Sequence, residues 1–152
     1  MIKRVYIDTS VFGGYFDSEF DEPTKNFFKA LKIQNTTILV SEILELEIYR
    51  APDYIVDLFE SLHNIERVEL SDEAKNLAEM YISEKVVGRT SIADCQHIAL
   101  ATINKTDVLA SWNFKHIVNL DRIWGYNSIN FREGYQMIEI RTPNEIFRDE
   151  DS

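Results

Sequence analysis

The sequence predicts an α/β fold, with one domain built on a mainly parallel central sheet of about five strands. Five short apolar runs have the length and composition of buried strands, and stretches with helical apolar spacing separate them. Strands separated by helices need crossover connections, which make neighbouring strands parallel. The chain has 152 residues, the size of a single domain. We assign residues 1–147 to this domain and residues 148–152 to an acidic tail.

Each predicted strand is a short run of residues that suit a buried sheet. The predicted strands are Val5–Asp8, Thr36–Val40, Arg67–Leu70, Asp107–Ser111 and Met137–Arg141. Six helices are predicted between and after these strands. The first begins near Pro23, the second runs from Ile43 to Arg50, and the third runs from Asp53 to Leu62. The fourth begins after the cap Ser71, the fifth runs from Ser91 to Asn104, and the last begins at Thr142.

Local signals support two of these helices in particular. Ile43, Leu46 and Tyr49 give the second helix an apolar face, and Ala51-Pro52 ends it, because a residue before proline disfavours helical geometry. The segment Thr142-Pro143-Asn144-Glu145 combines a cap residue, a proline in the first turn and the acid of a capping box. We therefore expect a short final helix there.

Composition indicates a globular protein of a reducing compartment. Hydrophobic residues make up 45% of the chain and charged residues 28%, and no apolar run is long enough to span a bilayer. The start of the chain leads directly into a strand, which leaves no room for a signal peptide. The single cysteine, Cys95, excludes an internal disulfide framework and lies in an apolar stretch that suits core packing. We expect a cytoplasmic protein without a membrane partner.

The net charge of −10 argues against nonspecific binding of nucleic acid, because phosphate contacts need lysine and arginine. It does not describe the local field, since acids gathered around a metal and the acidic tail both contribute to the total. A nucleic-acid substrate therefore stays open.

Asp8 is the first candidate for a functional site. It ends the first apolar strand, and the carboxyl ends of the strands border the ligand crevice in open α/β sheets. The structural alternative is an aspartate that caps a helix or forms a turn, since aspartate is favoured at such ends.

A second candidate is one of three glutamates after the second strand. Glu42, Glu45 and Glu47 lie on one predicted helix, and most glutamates on a helix face solvent. Glu47 stands between two apolar residues, so we expect it to be the one that points inward.

Asp94 is the third candidate, near the start of a helix that is apolar almost all round. A carboxylate in a buried helix is costly unless it has a partner. The alternative is structural, because Ser91 and Asp94 have the spacing of a capping box and an acid near a helix start is favourable in itself. His97, one turn further on, is within reach of the site, although a structural role suits it better.

The fourth apolar strand ends in Ser111 and Asn113, which add a hydroxyl and an amide oxygen. Ordinary turn chemistry explains each of them singly. Together, the candidate oxygens follow three strands and stand at one helix start. Hard oxygen ligands of this kind suit Mg²⁺ or Mn²⁺.

At these positions the chain resembles a known family. The segments YIDTSVFGG, SEILELEIYRAP, SIADCQHIALA and DVLASWNFKHI occur in the order and spacing of PIN domains, in particular the VapC-like toxin group, over about residues 4 to 141. The resemblance implies a parallel sheet with helices on both faces and a metal-dependent ribonuclease site. The family's acids map onto Asp8, Glu47 and Asp94. Its fourth position, usually an acid, falls at Asn113, with Ser111 at its usual Thr or Ser; Asn113 brings no charge.

The resemblance also implies a mechanism and partners. Asp8, Glu47 and Asp94 would hold Mg²⁺ or Mn²⁺ for hydrolysis of an RNA phosphodiester, while Ser111 and Asn113 orient a ligand. Candidates for phosphate contacts are Lys115, His116 and Arg122, and candidates for base stacking are Trp112 and Phe12, for which packing is the simpler role. A toxin-like chain would pair with a cognate antitoxin protein, and we expect a homodimer.

Two other classes of function stay open. One is a catalytically weak, PIN-like module that binds RNA or protein, which Asn113 and the acidic surface favour. The other is a small-molecule phosphohydrolase with Asp8 as nucleophile. The second is disfavoured, because Thr9-Ser10 follows Asp8 and no second aspartate stands two residues later.

Overall fold

The computed structural model describes residues 2–147 and contains one five-stranded sheet in which every pair of neighbouring strands is parallel. The strands are β1 Arg4–Ile7, β2 Thr37–Ser41, β3 Ile65–Val68, β4 Val108–Ala110 and β5 Ile140–Arg141. Their order across the sheet is β3-β2-β1-β4-β5, so β1 is central. The predicted α/β fold class and the parallel sheet are confirmed.

Eight α-helices connect and flank these strands within the described residues. They are α1 Thr9–Gly14, α2 Asp21–Ile33, α3 Glu42–Tyr49, α4 Asp53–Glu60, α5 Asp72–Ser83, α6 Ile92–Ile103, α7 Leu120–Arg132 and α8 Pro143–Ile146, and a short 3₁₀ turn, Arg89–Ser91, precedes α6. The capping box of the last helix is formed as expected. None of the helices within residues 2–147 is long and apolar enough to cross a membrane. The predicted acidic tail, residues 148–152, lies outside the described residues.

The sheet separates two apolar cores, one on each face. Successive side chains of a strand point to opposite faces, and in β1 Val5 and Ile7 pack into one cluster while Tyr6 packs into the other. The first cluster includes Phe12 and Phe27 from α1 and α2, and the second includes most of α5 and α6. Cys95 is fully buried in the second cluster, as predicted. Helices therefore cover both faces and leave the carboxyl edge of the sheet to the loops.

Two helices, one helix face and the bounds of two strands differ from the prediction, since β3 begins at Ile65 instead of Arg67 and β5 contains only Ile140–Arg141. Helices α1 and α7 were not predicted. The expected apolar face of α3 was wrong, because Leu44 and Ile48 are fully buried whereas Leu46 and Tyr49 are 56% and 54% exposed. The side chains four residues apart, Leu44 and Ile48, lie on one face and enter the core that contains Phe12.

Candidate active site at the carboxyl edge of the sheet

Asp8 lies at the carboxyl end of the central strand, directly before α1. Its backbone occupies the cap position of α1, but its side chain makes no capping hydrogen bond. Instead Ser10 Oγ donates to Oδ1 at 2.6 Å and Ser111 Oγ donates to Oδ2 at 2.9 Å. Both carboxylate oxygens are therefore held by hydroxyls from two different loops, and the alternative of an ordinary helix cap does not describe this side chain.

Burial makes the Asp8 carboxylate electrostatically costly. The residue is 3% exposed, and burial raises its pKa to about 6. The hydrogen bonds from Ser10 and Ser111 and the charge of His97 act in the opposite direction, and the charge of Asp94 adds to the rise. Asp8 thus has hydrogen-bond donors around it and no cationic partner among residues 2–147.

Of the three glutamates on α3, Glu47 is the one held beside Asp8. Its Oε1 accepts hydrogen bonds from Thr9 Oγ1 at 3.0 Å and from His97 Nε2 at 2.5 Å. Glu42 is exposed, and Glu45 forms an ion pair with Arg67. Because Thr9 is the neighbour of Asp8, these contacts place Glu47 at the same edge of the sheet.

A chain of hydrogen bonds fixes His97, and this chain was not predicted. A carboxylate only accepts hydrogen bonds, so Nε2 of His97 carries the proton in the bond with Glu47. Nδ1 lies 2.6 Å from the Tyr6 hydroxyl, and that hydroxyl lies 2.7 Å from Ser41 Oγ. Ser41 in turn caps α3 by accepting from the backbone N–H of Leu44. The imidazole is 1% exposed, so its orientation is set by buried partners.

In the sequence, the only indications of this hydrogen-bond chain are a tyrosine inside a predicted buried strand and a histidine inside a predicted buried helix. A buried tyrosine hydroxyl usually has a hydrogen-bond partner, but the sequence does not say which one. The structure brings Tyr6 and His97 together because β1 and α6 pack in the same core.

The carboxyl groups of Glu47 and Asp94 differ in their ionisation. Burial acts to raise the pKa of Glu47, but the hydrogen bond and charge of His97 and the bond from Thr9 outweigh it, so the pKa lies below its usual value. For Asp94, burial dominates and raises the pKa. The charge of Glu47 adds to this rise, while His97 and His116 oppose it. The acids therefore lie near enough to affect one another's ionisation.

Asp94 stands in the first turn of α6 and faces Asn113. Ser91 makes no capping hydrogen bond, so the capping box that its spacing allowed is not formed. Asn113 Nδ2 donates to Asp94 Oδ2 at 3.4 Å, and the backbone N–H of Asn113 donates to Ser111 Oγ at 2.9 Å. Ser111 and Asn113 therefore connect Asp8 with Asp94 through side-chain contacts.

The remaining predicted side chains lie around this site in different ways. The guanidinium of Arg122 donates to the carbonyl of Val86. Lys115 is exposed, and the charge of His116 acts on Asp94. Phe12 is fully buried, and Trp112 is 9% exposed and stacked on Phe20. Both rings pack in the core, so neither presents a free face for a base.

The donors present fit a hard divalent cation. Asp8, Glu47 and Asp94 offer carboxylate oxygens, and Ser111 and Asn113 stand between two of them. Carboxylate oxygen is what Mg²⁺ and Mn²⁺ bind, together with water molecules. The uncompensated, buried carboxylate of Asp8 is the group that a cation would stabilise most. No group of three acidic, histidine or cysteine side chains within residues 2–147 is already arranged as a metal cage.

Comparisons with known proteins agree with this architecture. The VapBC2 complex from Rickettsia felis, bound to a DNA fragment from its promoter, contains a chain of similar structure, with a TM-score of 0.56 and 15% identity over 91% of this chain and 98% of that one. The structure of FitAB bound to an IR36 DNA fragment gives a TM-score of 0.59 and 10% identity over 95% and 98%. At these identities the likeness concerns the fold. No curated protein sequence matches.

Structural similarity at such low identity does not assign the chain to a family, but a match to a family model does. The model described as PIN domain matches residues 5–115. This range contains Asp8, Glu47, Asp94, Ser111 and Asn113. PIN domains are generally nucleases, which are hydrolases. The chain belongs to the PIN domain family.

Proposed function

We propose that this protein is a metal-dependent endoribonuclease that hydrolyses RNA phosphodiester bonds, with Asp8, Glu47 and Asp94 as ligands of Mg²⁺ or Mn²⁺. The proposal is supported by three carboxylates of a PIN domain, one directly after β1, one in α3 and one in the first turn of α6, whose contacts and mutual charge effects relate them to the carboxyl edge of the parallel sheet. The charge of Asp94 influences Asp8, and the charge of Glu47 influences Asp94. Such a cluster gains stability from a bound cation.

The side chains around the acids have defined tasks in this proposal. Ser10 and Ser111 orient both oxygens of Asp8, and Thr9 and His97 keep Glu47 ionised and in place. Asn113 bonds to Asp94, with its own Oδ1 accepting from the backbone of Lys115 and His116. The scissile phosphate would meet this edge, and Lys115 and His116, whose backbone N–H groups donate to Asn113, are the candidate phosphate contacts beside it. When bound, Mg²⁺ or Mn²⁺ supplies Lewis-acid polarisation of a phosphoryl oxygen and lowers the pKa of water.

We further propose that the protein acts as the toxin of a toxin–antitoxin pair, with an RNA substrate, a cognate antitoxin partner and a homodimeric state. The support is the family and the fold shared with chains of the VapBC2 and FitAB structures.

Cleavage of total RNA tests the central proposal. The protein is incubated with RNA in chelator, Mg²⁺ or Mn²⁺, and the new ends are mapped. We expect internal cuts that need metal and disappear in Glu47→Gln. The matched control is Glu42→Gln on the same helix, because Glu42 is exposed and lies outside the cluster. Equal cleavage by both variants would remove Glu47 from the site, and cleavage in chelator would overturn the metal requirement.

A second function is a PIN-like binding module with little catalysis, and Asn113 favours it. The amide contributes no charge at a position where the family usually has an acid. In this case the protein would bind RNA or a protein partner without cutting, and Asn113→Asp would raise cleavage. The same RNA assay, scored for retained and for cut RNA, separates the two functions.

A further inference from the structure

A second concave region lies at the opposite edge of the sheet from Asp8. It is a cavity of about 750 Å³ between α2 and α4, beside the amino end of β2. Its apolar lining consists of Phe28, Leu31, Ile38, Leu58 and Leu62. This volume and this apolar lining are those of small-molecule sites in proteins.

The charged side chains that line this cavity include three lysines and no acid. Lys25, Lys29 and Lys32 lie along one face of α2 at helical spacing, and His63 stands on the other side. The lining contains no aspartate or glutamate, although the chain carries 26 of them and a net charge of −10. The lining is therefore basic in a protein that is acidic as a whole.

Two of the lysines are available to a ligand. Lys25 is 4.0 Å from Asp21 and lies over the ring of Tyr15 at 5.5 Å. Lys29 and Lys32 are exposed, and within residues 2–147 no carboxylate lies within 4.0 Å of either ammonium group. An anionic group at the mouth of the cavity would meet these two charges while its apolar part enters the lining.

We infer that this cavity is a binding site for a small amphipathic anion, a molecule with an aromatic or aliphatic body and a single anionic group. The apolar lining corresponds to the body of such a ligand, and the unpaired lysines Lys29 and Lys32 correspond to its anionic group. The inference is independent of the nuclease proposal, because the cavity shares no residue with the acid cluster.

The test uses two dyes on the full-length protein. The probe is 8-anilinonaphthalene-1-sulfonate, an amphipathic anion whose fluorescence rises in apolar sites, and the reference is N-phenyl-1-naphthylamine, which lacks the sulfonate. We expect the anion to bind with one molecule per chain. The double variant Lys29→Gln/Lys32→Gln should weaken binding of the anion roughly fivefold or more and leave the neutral dye almost unchanged. Lys75→Gln, an exposed lysine on α5, is the matched control and should change neither.

Two further measurements locate the dye. Amide chemical shifts should move at Thr36, Leu58 and Leu62 and stay unchanged at Asp8 and Asp94. Leu58→Trp, which places a larger ring in the apolar lining, should change the binding of both dyes, and its thermal unfolding checks that the fold is intact. The inference is overturned if the double variant Lys29→Gln/Lys32→Gln binds the anion as tightly as the control Lys75→Gln does. It is also overturned if the chemical shifts change near the exposed side chains Trp124 and Phe131 instead.

Discussion

Asp8 and Glu47 lie in one site and are held in opposite ways. Asp8 is 3% exposed, its partners are neutral hydroxyls, and its pKa is raised to about 6. The side chain of Glu47 is 37% exposed, its main partner is a buried histidine, and its pKa is lowered. The negative charge is thus costly at one carboxylate and stabilised at the other, although both are candidate ligands of the same ion.

This difference indicates where a cation would contribute most. Ionised Glu47 is already stabilised by His97 and Thr9, so its geometry is prepared before any ligand arrives. Asp8 forms no ion pair within residues 2–147, and burial outweighs the hydrogen bonds and the charge of His97, so its ionised form gains most from a bound ion. Variants at each acid and its partners therefore separate two effects. One is the loss of folding stability caused by the ionised Asp8 carboxylate, and the other is the positioning of Glu47 for a metal ion.

The largest effect is expected for Asp8→Asn in chelator. A rise from the usual value of 3.8 to about 6 means that the folded chain binds this proton more tightly than the unfolded chain. Stability of the native sequence therefore falls as the pH rises from about 4 to about 6. The neutral variant avoids this loss and should be more stable at pH 7, by up to about 3 kcal/mol. Denaturant unfolding between pH 4 and 8 measures the difference, and RNA cleavage should be lost.

Asp107→Asn is the control of opposite sign. Burial also acts on Asp107, but the backbone N–H groups of Lys3 and Arg4 donate to its carboxylate, and its pKa is lowered. The ionised form is then favoured in the folded chain, so its removal should lower stability at pH 7. If Asp8→Asn and Asp107→Asn shift stability in the same direction, burial does not explain the raised pKa of Asp8.

A smaller, destabilising effect is expected for His97→Phe. The phenyl ring fills the buried space but removes one of the two hydrogen-bond partners of the Tyr6 hydroxyl, which keeps Ser41, and removes the main donor of Glu47. Loss of such bonds costs about 1 to 3 kcal/mol. His97 is a positioning residue in this view, so we expect kcat for RNA to fall more than KM changes.

His97→Gln is the conservative comparison, since its amide keeps one donor and one acceptor, and it should recover part of the activity. Thr9→Val removes only one bond to Glu47 and should have a weaker effect on both stability and kcat. If His97→Phe is destabilised while cleavage stays normal, the hydrogen-bond chain is structural and does not prepare Glu47.

Asn113→Asp should change metal affinity with little change in shape. The Oδ1 atom of Asn113 accepts from two backbone N–H groups, and an aspartate oxygen can do the same. The other oxygen would replace the amide that donates to Asp94, so two carboxylates would face each other. We expect the apo protein to lose about 1 kcal/mol and to bind Mn²⁺ more tightly, measured by calorimetry. Unchanged affinity would place this position outside the metal shell.

Much of the fold was predictable because it follows from local pattern. Strands β1, β2 and β4 and most helices have clear apolar runs or caps, and Ser71 accepts from the backbone of Ala74 as its sequence position suggests. Helix α7 lacks such a pattern. Its buried face includes Asn127 and Asn130, whereas Trp124 and Phe131 are 67% and 77% exposed. Tertiary partners, such as the backbone of Ile138 for Asn127, decide this helix.

The site was predictable at the ends of elements and not in its connections. Asp8 stands where the apolar pattern of β1 ends, so its position could be predicted from spacing. Glu47 was singled out because two apolar residues flank it, although one of them, Leu46, is 56% exposed. The contacts of Tyr6 with His97 and of Ser10 with Asp8 depend on how β1, α1 and α6 pack. The segment Thr9–Gly14 is too short, with two glycines, to show a helical apolar face. Ser91 shows the converse case, in which a correct spacing did not form its capping box.

The smallest effect, and the one that separates a structural from a functional role, is expected for Asp94→Asn. An acid in the first turn of α6 interacts favourably with the helix dipole, and its removal would cost about 0.3 to 1 kcal/mol. The capping contribution is absent, because Ser91 makes no capping bond. Burial and the charge of Glu47 raise the pKa of Asp94, so the ionised form also carries a cost that the neutral amide lacks. We expect these opposing contributions to leave the apo melting temperature unchanged or slightly higher, while stabilisation by Mn²⁺ and RNA cleavage are lost. Thermal unfolding with and without Mn²⁺ measures both. An apo protein that melts lower and still binds Mn²⁺ and cuts RNA normally would reduce Asp94 to a helix-start residue, and the proposed metal site would lose its third ligand.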